Sequence, residues 1–447
     1  MNLLDKYNVP GPRYTSYPTV PYWDTPPSEE DWEQLVKDSF NAYNDSDGVS
    51  IYIHLPYCES LCTFCGCNTR ITVNHAVERP YIDALLKEWD LYVTLLGENA
   101  KIKEIHLGGG TPTFFSPEHL TMLINGIKSK ANFQSNATFG FEANPKTTTF
   151  EHLRVMAELG FERLSLGIQD FDPLVQKTIN RVQDFDQVNE VTSWARRLGY
   201  SSVNFDLVYG LPHQTVQSIE HTIDLVNLLR PDRIAYYSYA HVPWVKPGQR
   251  SFTEKDLPSA AQKHKMYTIG KEMLNSAGYI EIGMDHFALP EDGLTKAFRS
   301  NTLHRNFMGY TTQTSKLMIG LGVSSISDTW TAFAQNVKTV EEYLKRVNEG
   351  RFPIFRGHKL SEQDMHVRQL ILDIMCHFKG QINPDALPNN GFSKGLSELE
   401  KDQLIKYSNN KIWVTESGRP FVRNICMAFD QRLMQNQPET QIFSMTV

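Results

Sequence analysis

Three thiols stand at the spacing C-x3-C-x2-C in Cys58-Glu59-Ser60-Leu61-Cys62-Thr63-Phe64-Cys65. They follow directly on the apolar run Val49-Ser50-Ile51-Tyr52-Ile53-His54-Leu55-Pro56. A loop this short can wrap three thiolates around a cubane cluster and leave one iron without a protein ligand. Iron–sulfur centres used only for electron transfer are usually closed by four cysteines. An open metal position is where a small molecule binds and reacts. The spacing therefore points to a cluster that does chemistry. The pair Cys62 and Cys65 could also be redox-active or bind zinc. Zinc sites bring a second, distant Cys/His pair, however, and none is obvious near Cys376 or Cys426.

Further candidates follow the same run-then-turn pattern. Gly108-Gly109-Gly110-Thr111-Pro112-Thr113 comes after the strand-like Glu104-Ile105-His106-Leu107. Consecutive glycines let backbone approach a ligand without interference from Cβ, and a tight turn is the plain alternative. Glu142 ends Thr138-Phe139-Gly140-Phe141, where a carboxylate could accept hydrogen bonds from a ribose or sit solvated in a loop. Gln169 closes Arg163-Leu164-Ser165-Leu166-Gly167-Ile168, Arg181 follows Ile179-Asn180, and Asp206 lies in Asn204-Phe205-Asp206-Leu207. Alone, each reads as a surface or structural ion-pair residue. Together they bring a carboxamide, a guanidinium and a carboxylate to neighbouring strand ends. An arginine can grip a carboxylate in bidentate fashion and an aspartate can hold an ammonium. His54, next to the cysteine loop, could shuttle a proton or be a packed strand-end histidine.

The elements that must position these groups alternate. Apolar, β-rich runs at 50–54, 103–107, 138–142, 163–168, 202–208 and 232–239 are separated by amphipathic stretches. These stretches are Tyr81 to Leu96, one opening with Ser116-Pro117-Glu118, and 150–159, 186–198 and 215–229. Ser116 reads as a helix cap with Pro117 in the first turn. The alternation predicts βαβ units around a parallel sheet. Six units are fewer than the eight of a closed barrel, so an open, partial (β/α)6 barrel is expected. Active sites in such folds form at the carboxyl ends of the strands, where every candidate above sits. Residues 1–48 form an irregular arm rich in proline and aromatics, expected to contribute to the substrate site. The barrel should span 49–355. Residues 356–447 read as a small, mainly helical, winged-helix-like domain, with helices at 361–378 and 395–406 and a β-like pair around Lys411-Ile412-Trp413-Val414-Thr415.

Composition narrows the function classes. The chain has 447 residues and a formal net charge of −7, with no long basic run, so nothing suggests nucleic acid. No stretch approaches about 18 continuous apolar residues, so no membrane span is expected. The first residues lack a basic region followed by an apolar core and do not read as a secretory signal. Four of the six cysteines lie between 58 and 67, which suits a metal centre in a reducing cytoplasm better than a disulfide framework.

The C-x3-C-x2-C loop with Phe64 before its last cysteine resembles the radical S-adenosylmethionine superfamily. Within it, the chain resembles the oxygen-independent coproporphyrinogen III oxidase (coproporphyrinogen dehydrogenase) family over nearly its whole length. Four segments carry this: Gly11-Pro12-Arg13-Tyr14-Thr15-Ser16-Tyr17-Pro18-Thr19, Cys65-Gly66-Cys67-Asn68, Arg305-Asn306-Phe307-Met308-Gly309-Tyr310-Thr311-Thr312 and Arg423-Asn424-Ile425-Cys426-Met427-Ala428-Phe429-Asp430. The resemblance implies a [4Fe–4S] cluster on Cys58, Cys62 and Cys65, with Cys67 nearby but not a ligand. It implies one S-adenosylmethionine lined by Tyr52, Phe64, Gly109, Glu142 and Ile326. It implies a second lined by Gly110, Thr111, Gln169, Arg181, Asp206 and Ala240. Tyr52, His54, Phe307 and Met308 are the expected catalytic positions. The family commonly has glutamine where this chain has Met308, and a thioether loses the amide's hydrogen bonds.

The implied reaction is decarboxylation of two propionates of coproporphyrinogen III to vinyl groups in haem biosynthesis. Arg13 and Arg305 would contact the substrate carboxylates. A flavodoxin or ferredoxin would donate electrons to a monomer. A haem-modifying methyltransferase and a non-enzymatic haem chaperone are the alternatives. Replacing Cys58, Cys62 or Cys65 by alanine should abolish both the cluster's visible absorbance and turnover; a fully active variant would contradict the cluster assignment.

Overall fold

The computed structural model describes residues 3–97, 99–384, 391–436 and 442–446. Its centre is a sheet that runs β1 (Val49–Leu55), β2 (Lys101–Gly109), β3 (Asn132–Ala143), β4 (Arg163–Gln169), β5 (Ser202–Tyr209) and β6 (Arg233–Ser238). All neighbouring pairs in this run are parallel. The crossovers carry helices α1 (Glu78–Leu96), α2 (Pro117–Lys128), α3 (Phe150–Glu158), α4 (Pro173–Thr178) with α5 (Phe185–Arg197), and α6 (Val216–Leu229). Helix α7 (Ala260–Ser276) follows β6. The six expected units are therefore present. Ser116 caps α2 as the sequence indicates, accepting from the His119 amide with Pro117 in the first turn.

The sheet is larger than the six runs. Beside β6 it continues antiparallel through β7 (Ile280–Gly283) and β8 (His286–Ala288). On the other edge β9 (Leu317–Leu321) lies parallel to β1, and β10 (Ile326–Asp328), β11 (Ala332–Asn336) and β12 (Ile354–Lys359) complete a twelve-stranded, open sheet. Among the described residues no helix is long and apolar enough to cross a membrane.

The barrel strands have two chemically different faces. Ile51, Ile53, Ile105, Leu107, Leu164, Leu166, Val203 and Phe205 are buried in the main hydrophobic core with α1, α2 and α5 residues. The alternate positions Glu104, His106, Glu142, Arg163, Ser165, Asn204, Asp206 and Arg233 line a small lumen of about 140 Å³. Period-2 alternation along each strand produces this division. The two buried arginines of the lumen are paired: Arg163 donates to Glu104 at 3.0 Å and Arg233 to Asp292 at 2.7 Å.

The N-terminal arm divides between two cores. Trp32 and Val36, on a helix over Glu29–Tyr43, join the barrel core. Tyr14 and Tyr17 instead join a separate core built on Ile371, Ile374, Leu396, Ile412 and Ile425. That C-terminal part holds helices at Glu362–His377 and Gly391–Lys401. It also holds a three-stranded antiparallel sheet in which Lys411–Val414 lies between Lys379–Gln381 and Ile405–Ser408.

Two of the distinctive segments meet here. Arg423, only 5% exposed, donates to the carbonyls of Gly11, Pro12 (3.0 Å) and Met445 (2.9 Å), and Tyr14 donates to Asp430 at 3.1 Å. Arg423→Met should leave those carbonyls buried and unpaired, costing at least about 2 kcal/mol. Denaturant unfolding should show this loss, with faster proteolysis of the arm. Unchanged stability would show that the arm is held by its tyrosines alone.

Candidate active site at the carboxyl ends of the strands

The cysteine loop leaves β1 and is held from three sides. Thr63 donates its amide to Ile179 O at 3.0 Å and its hydroxyl to Thr178 O at 3.1 Å, and Asn180 donates to Leu61 O at 2.8 Å. From a third direction Gln249, 2% exposed, donates to both Phe64 O (3.1 Å) and Ala240 O (3.2 Å) and accepts from the Val242 amide. Asn68 donates to Lys338 O at 3.0 Å. The backbone around the thiols is thus fixed mostly by other groups; of the thiols only Cys65 takes part, accepting from the Cys67 amide at 3.4 Å. Cys58, Cys62, Cys65 and Cys67 are all free thiols, and Cys376 and Cys426 are buried elsewhere.

The glycine triplet at the end of β2 is packed more closely than a turn requires. A Cβ on Gly108 would lie 2.9 Å from the Glu142 carboxylate, one on Gly109 2.5 Å from the His54 ring, and one on Gly110 2.6 Å from the Pro56 backbone. Gly109 also has φ +110°, a conformation glycine accepts readily. The amides of Gly110 and Thr111 donate back to Leu55 O (2.8 Å) and Tyr57 O (3.0 Å), tying β2 to the start of the cysteine loop. Thr111 Oγ1 lies 3.3 Å from Cys58 Sγ.

Cys58, Cys62, Cys65, Phe64, Gly109, Gly110, Thr111, Glu142, Gln169, Arg181 and Asp206 all border one cavity of about 490 Å³. This is within the ordinary range for a small-molecule site. Arg181 donates to Gly167 O at 2.6 Å and lies 3.6 Å from Cys62 Sγ. A Cβ on Gly167 would collide with Arg181 and Gln169, which cross over it. Gln169 itself has φ +70°, a strained conformation of the kind that clusters at functional sites.

The two carboxylates differ. Burial would raise Glu142, but His106 (3.6 Å) and the Gly109 amide (3.2 Å) outweigh it and hold the carboxyl below its usual range. Its side chain is 44% exposed, open to the cavity. Asp206 is pushed up to about 6 by burial and by Glu142, despite hydrogen bonds from Asn204 (2.9 Å) and Ser165 (3.1 Å). Two carboxylates facing one space raise each other's cost of ionisation. Positive charge on a ligand between them would relieve that cost, and Arg181 borders the same space.

The remaining expected residues stand outside this cavity's wall. Tyr52 stacks on His106 and lies 3.1 Å from His54 Nδ1. His54 Nε2 lies 2.9 Å from Asn68 O, so both ring nitrogens have protein partners, and burial lowers its pKa. The ring is neutral, packed beneath Gly109, and fixes Asn68; this geometry is that of the packed strand-end histidine. Phe307 packs edge-on against Trp23 and Phe333. Met308 borders the lumen instead. Ile326 lies on β10, and Ala240 reaches the cysteine loop through Gln249. Sequence reasoning missed His106, Ser165, Asn204 and Gln249. The first three were legible as polar residues on the same strand as a candidate, Asn204 two positions from Asp206, His106 three from Gly109 and Ser165 four from Gln169; Gln249 has no such local signal.

Comparison with known proteins agrees with this geometry. Residues 52–226 match the Radical SAM superfamily. A curated relative from Synechocystis sp., named oxygen-independent coproporphyrinogen III oxidase, is 37% identical over 100% of this chain and 97% of its own length. One of the same name from Escherichia coli is 38% identical over 97% of this chain and 95% of its own. A solved structure of coproporphyrinogen III oxidase from Escherichia coli, described as a radical SAM enzyme, superposes with TM-score 0.88 at 37% identity, covering 94% of this chain and 98% of that one.

The chain belongs to the oxygen-independent coproporphyrinogen III oxidase family. As a radical SAM family member it works with a [4Fe–4S] cluster and S-adenosylmethionine. The cavity fits both. It offers three thiols, with Arg181 beside Cys62 and the Glu142 and Asp206 carboxylates lining the same space, a set that suits a sulfonium amino acid. Among the described residues no three His, Cys, Asp or Glu side chains converge on a single metal ion; thiolates around a cubane stand farther apart than those around one zinc.

Asp206→Asn tests the electrostatics. Above about pH 6 the wild-type apo-protein must carry a buried carboxylate that the variant lacks; below it the wild-type group is protonated. Thermal unfolding should show the variant gaining more stability at about pH 8 than at about pH 5, because the wild-type penalty begins at the unfolded pKa of about 3.9 and is complete only above about pH 6. An equal gain at both pH values would contradict this assignment.

Proposed function

We propose that this protein converts two propionate side chains of coproporphyrinogen III to vinyl groups without oxygen, giving protoporphyrinogen IX in haem biosynthesis. The observation that carries the reading is the single cavity in which three cysteines, two carboxylates and Arg181 converge at the ends of β1 to β5. Similarity to coproporphyrinogen III oxidases over the full chain supports it.

Cys58, Cys62 and Cys65 would hold the cluster. Tyr52, Phe64, Gly109, Glu142 and Ile326 would surround the S-adenosylmethionine on it. Gly110, Thr111, Gln169, Arg181, Asp206 and Ala240 would surround a second molecule. When bound, these cofactors supply the 5′-deoxyadenosyl radical that takes a hydrogen atom from the propionate. The protein's part is positioning and exclusion of water. Glu142, held ionised by His106 and the Gly109 amide, accepts ligand hydroxyls. Phe307, packed on Trp23 of the arm, and Met308, at the lumen beside the cofactor cavity, are the further catalytic positions with Tyr52 and His54. The arm brings Arg13 to the carboxyl end of β6, where it donates to Ser238 O at 3.2 Å and pairs with Asp285 at 2.8 Å. Each decarboxylation also removes one electron, which a one-electron acceptor must take. A flavodoxin- or ferredoxin-type donor, a monomeric state and a cytoplasmic location complete the proposal.

Anaerobic incubation of the reconstituted protein with coproporphyrinogen III, S-adenosylmethionine and a reductant tests this. Mass spectrometry should find loss of two carboxyl groups together with 5′-deoxyadenosine. Cleavage of S-adenosylmethionine with no decarboxylated tetrapyrrole would overturn the substrate assignment.

A further inference from the structure

A second cavity, of about 250 Å³, lies between α7, the carboxyl ends of β5 and β6, and the C-terminal helical part. Arg13, Tyr209, Lys263, Tyr267 and Arg423 form its walls. Its charges do not balance in the interior. Arg13 is paired with Asp285 at 2.8 Å. Lys263 donates to Tyr239 O at 2.9 Å, and Arg423 donates to the backbone carbonyls and the Ser444 hydroxyl. Neither has a carboxylate partner among the described residues. At the edges, Lys271 is matched by Glu281 and Arg419 by Glu416, and the remaining acid, Glu272, is exposed at the mouth. Two further donor-capable atoms, His264 Nδ1 and Arg419 Nε, are buried without partners. Burying cations opposite carbonyls alone is costly. The cost appears at Lys263, whose pKa is pushed down to about 8 by burial and by Arg13 and Arg423. Tyr209 and Tyr267 pack together, their ring centroids 5.6 Å apart, and give the cavity an apolar side.

The cavity adjoins the cofactor site. Arg13 lies over the Tyr237 ring, 5.7 Å from its centroid, and Tyr237 borders the cofactor cavity. An apolar wall leading to uncompensated cations matches a carboxylate on a short hydrocarbon stem. We propose that this cavity is a carboxylate subsite that holds a propionate of the tetrapyrrole other than the one reacting, with Lys263 as its donor and the guanidinium of Arg423 adding positive charge to the wall. This rests on the function proposed above. It gives the enzyme a way to fix the macrocycle while a different propionate faces the cofactors. The Lys263 stem packs against Gly210, where a Cβ would lie 2.9 Å from Lys263 Cε, so the ammonium is aimed rather than mobile.

Lys263→Met keeps the stem and removes the charge; His264→Glu independently adds a repelling carboxylate to the wall. Binding of coproporphyrin III, the fluorescent oxidised form of the substrate, should weaken about tenfold in each variant, a loss of about 1.4 kcal/mol. Its tetramethyl ester should bind all three proteins equally. KM for coproporphyrinogen III should rise with kcat unchanged. Equal coproporphyrin III affinity in wild type and both variants would overturn the subsite. So would stabilisation of wild type, but not Lys263→Met, by inorganic phosphate or free propionate without any change in porphyrin affinity; that outcome marks a free-anion site. A wild-type protein that neither binds nor converts the tetrapyrrole would overturn the function reading first and this assignment with it.

Discussion

The site depends on three missing β-carbons. At the end of β2 the Glu142 carboxylate, the His54 ring and the Pro56 backbone occupy the places where side chains of Gly108, Gly109 and Gly110 would begin. The missing Cβ atoms let the Glu142 and His54 side chains and the Pro56 backbone lie directly over the end of β2. This packing sets the cysteine loop beside Glu142 and lets the Gly110 and Thr111 amides tie the loop's start to β2. The same device recurs at Gly167, over which Arg181 and Gln169 cross. Glycine's entropic cost is accepted where close approach is needed.

The second constraint is the two-faced barrel strand. Helices cover one face with aliphatic and aromatic side chains, and the lumen receives charged and polar ones. Toward the amino ends the lumen's charges are neutralised in pairs, Arg163 with Glu104 and Arg233 with Asp292. Toward the carboxyl ends they are not: Glu142 and Asp206 face one cavity. The polarity of the strands thus grades from structural pairing to unsatisfied charge, and ligand binding belongs where charge is unsatisfied.

Much of this was legible locally. The β1 to β6 runs and the helix starts follow from apolar periodicity and from caps such as Ser116. The cysteine, glycine and Glu142 strings name most of one cavity's wall. What was not legible depends on pairing distant segments. β9 and β10 are five and three residues long and take their place only by pairing with β1 and with one another. Gln249 clamps the cysteine loop from 185 residues away. His54 was ambiguous in sequence because only the fold supplies Asn68 O and Tyr52 as its partners. Tyr14 and Tyr17 looked like part of a substrate-facing segment; in the fold they are core residues of the C-terminal part, while Arg13 reaches the carboxyl end of β6 and pairs with Asp285.

The central claim is that three thiols hold the cluster and leave one iron open to S-adenosylmethionine. Electron paramagnetic resonance of the reconstituted, reduced protein tests it most directly. The account predicts a [4Fe–4S] signal that changes shape when S-adenosylmethionine is added, in the wild type and in Cys67→Ala alike. A signal indifferent to S-adenosylmethionine, or one lost in Cys67→Ala, would contradict it.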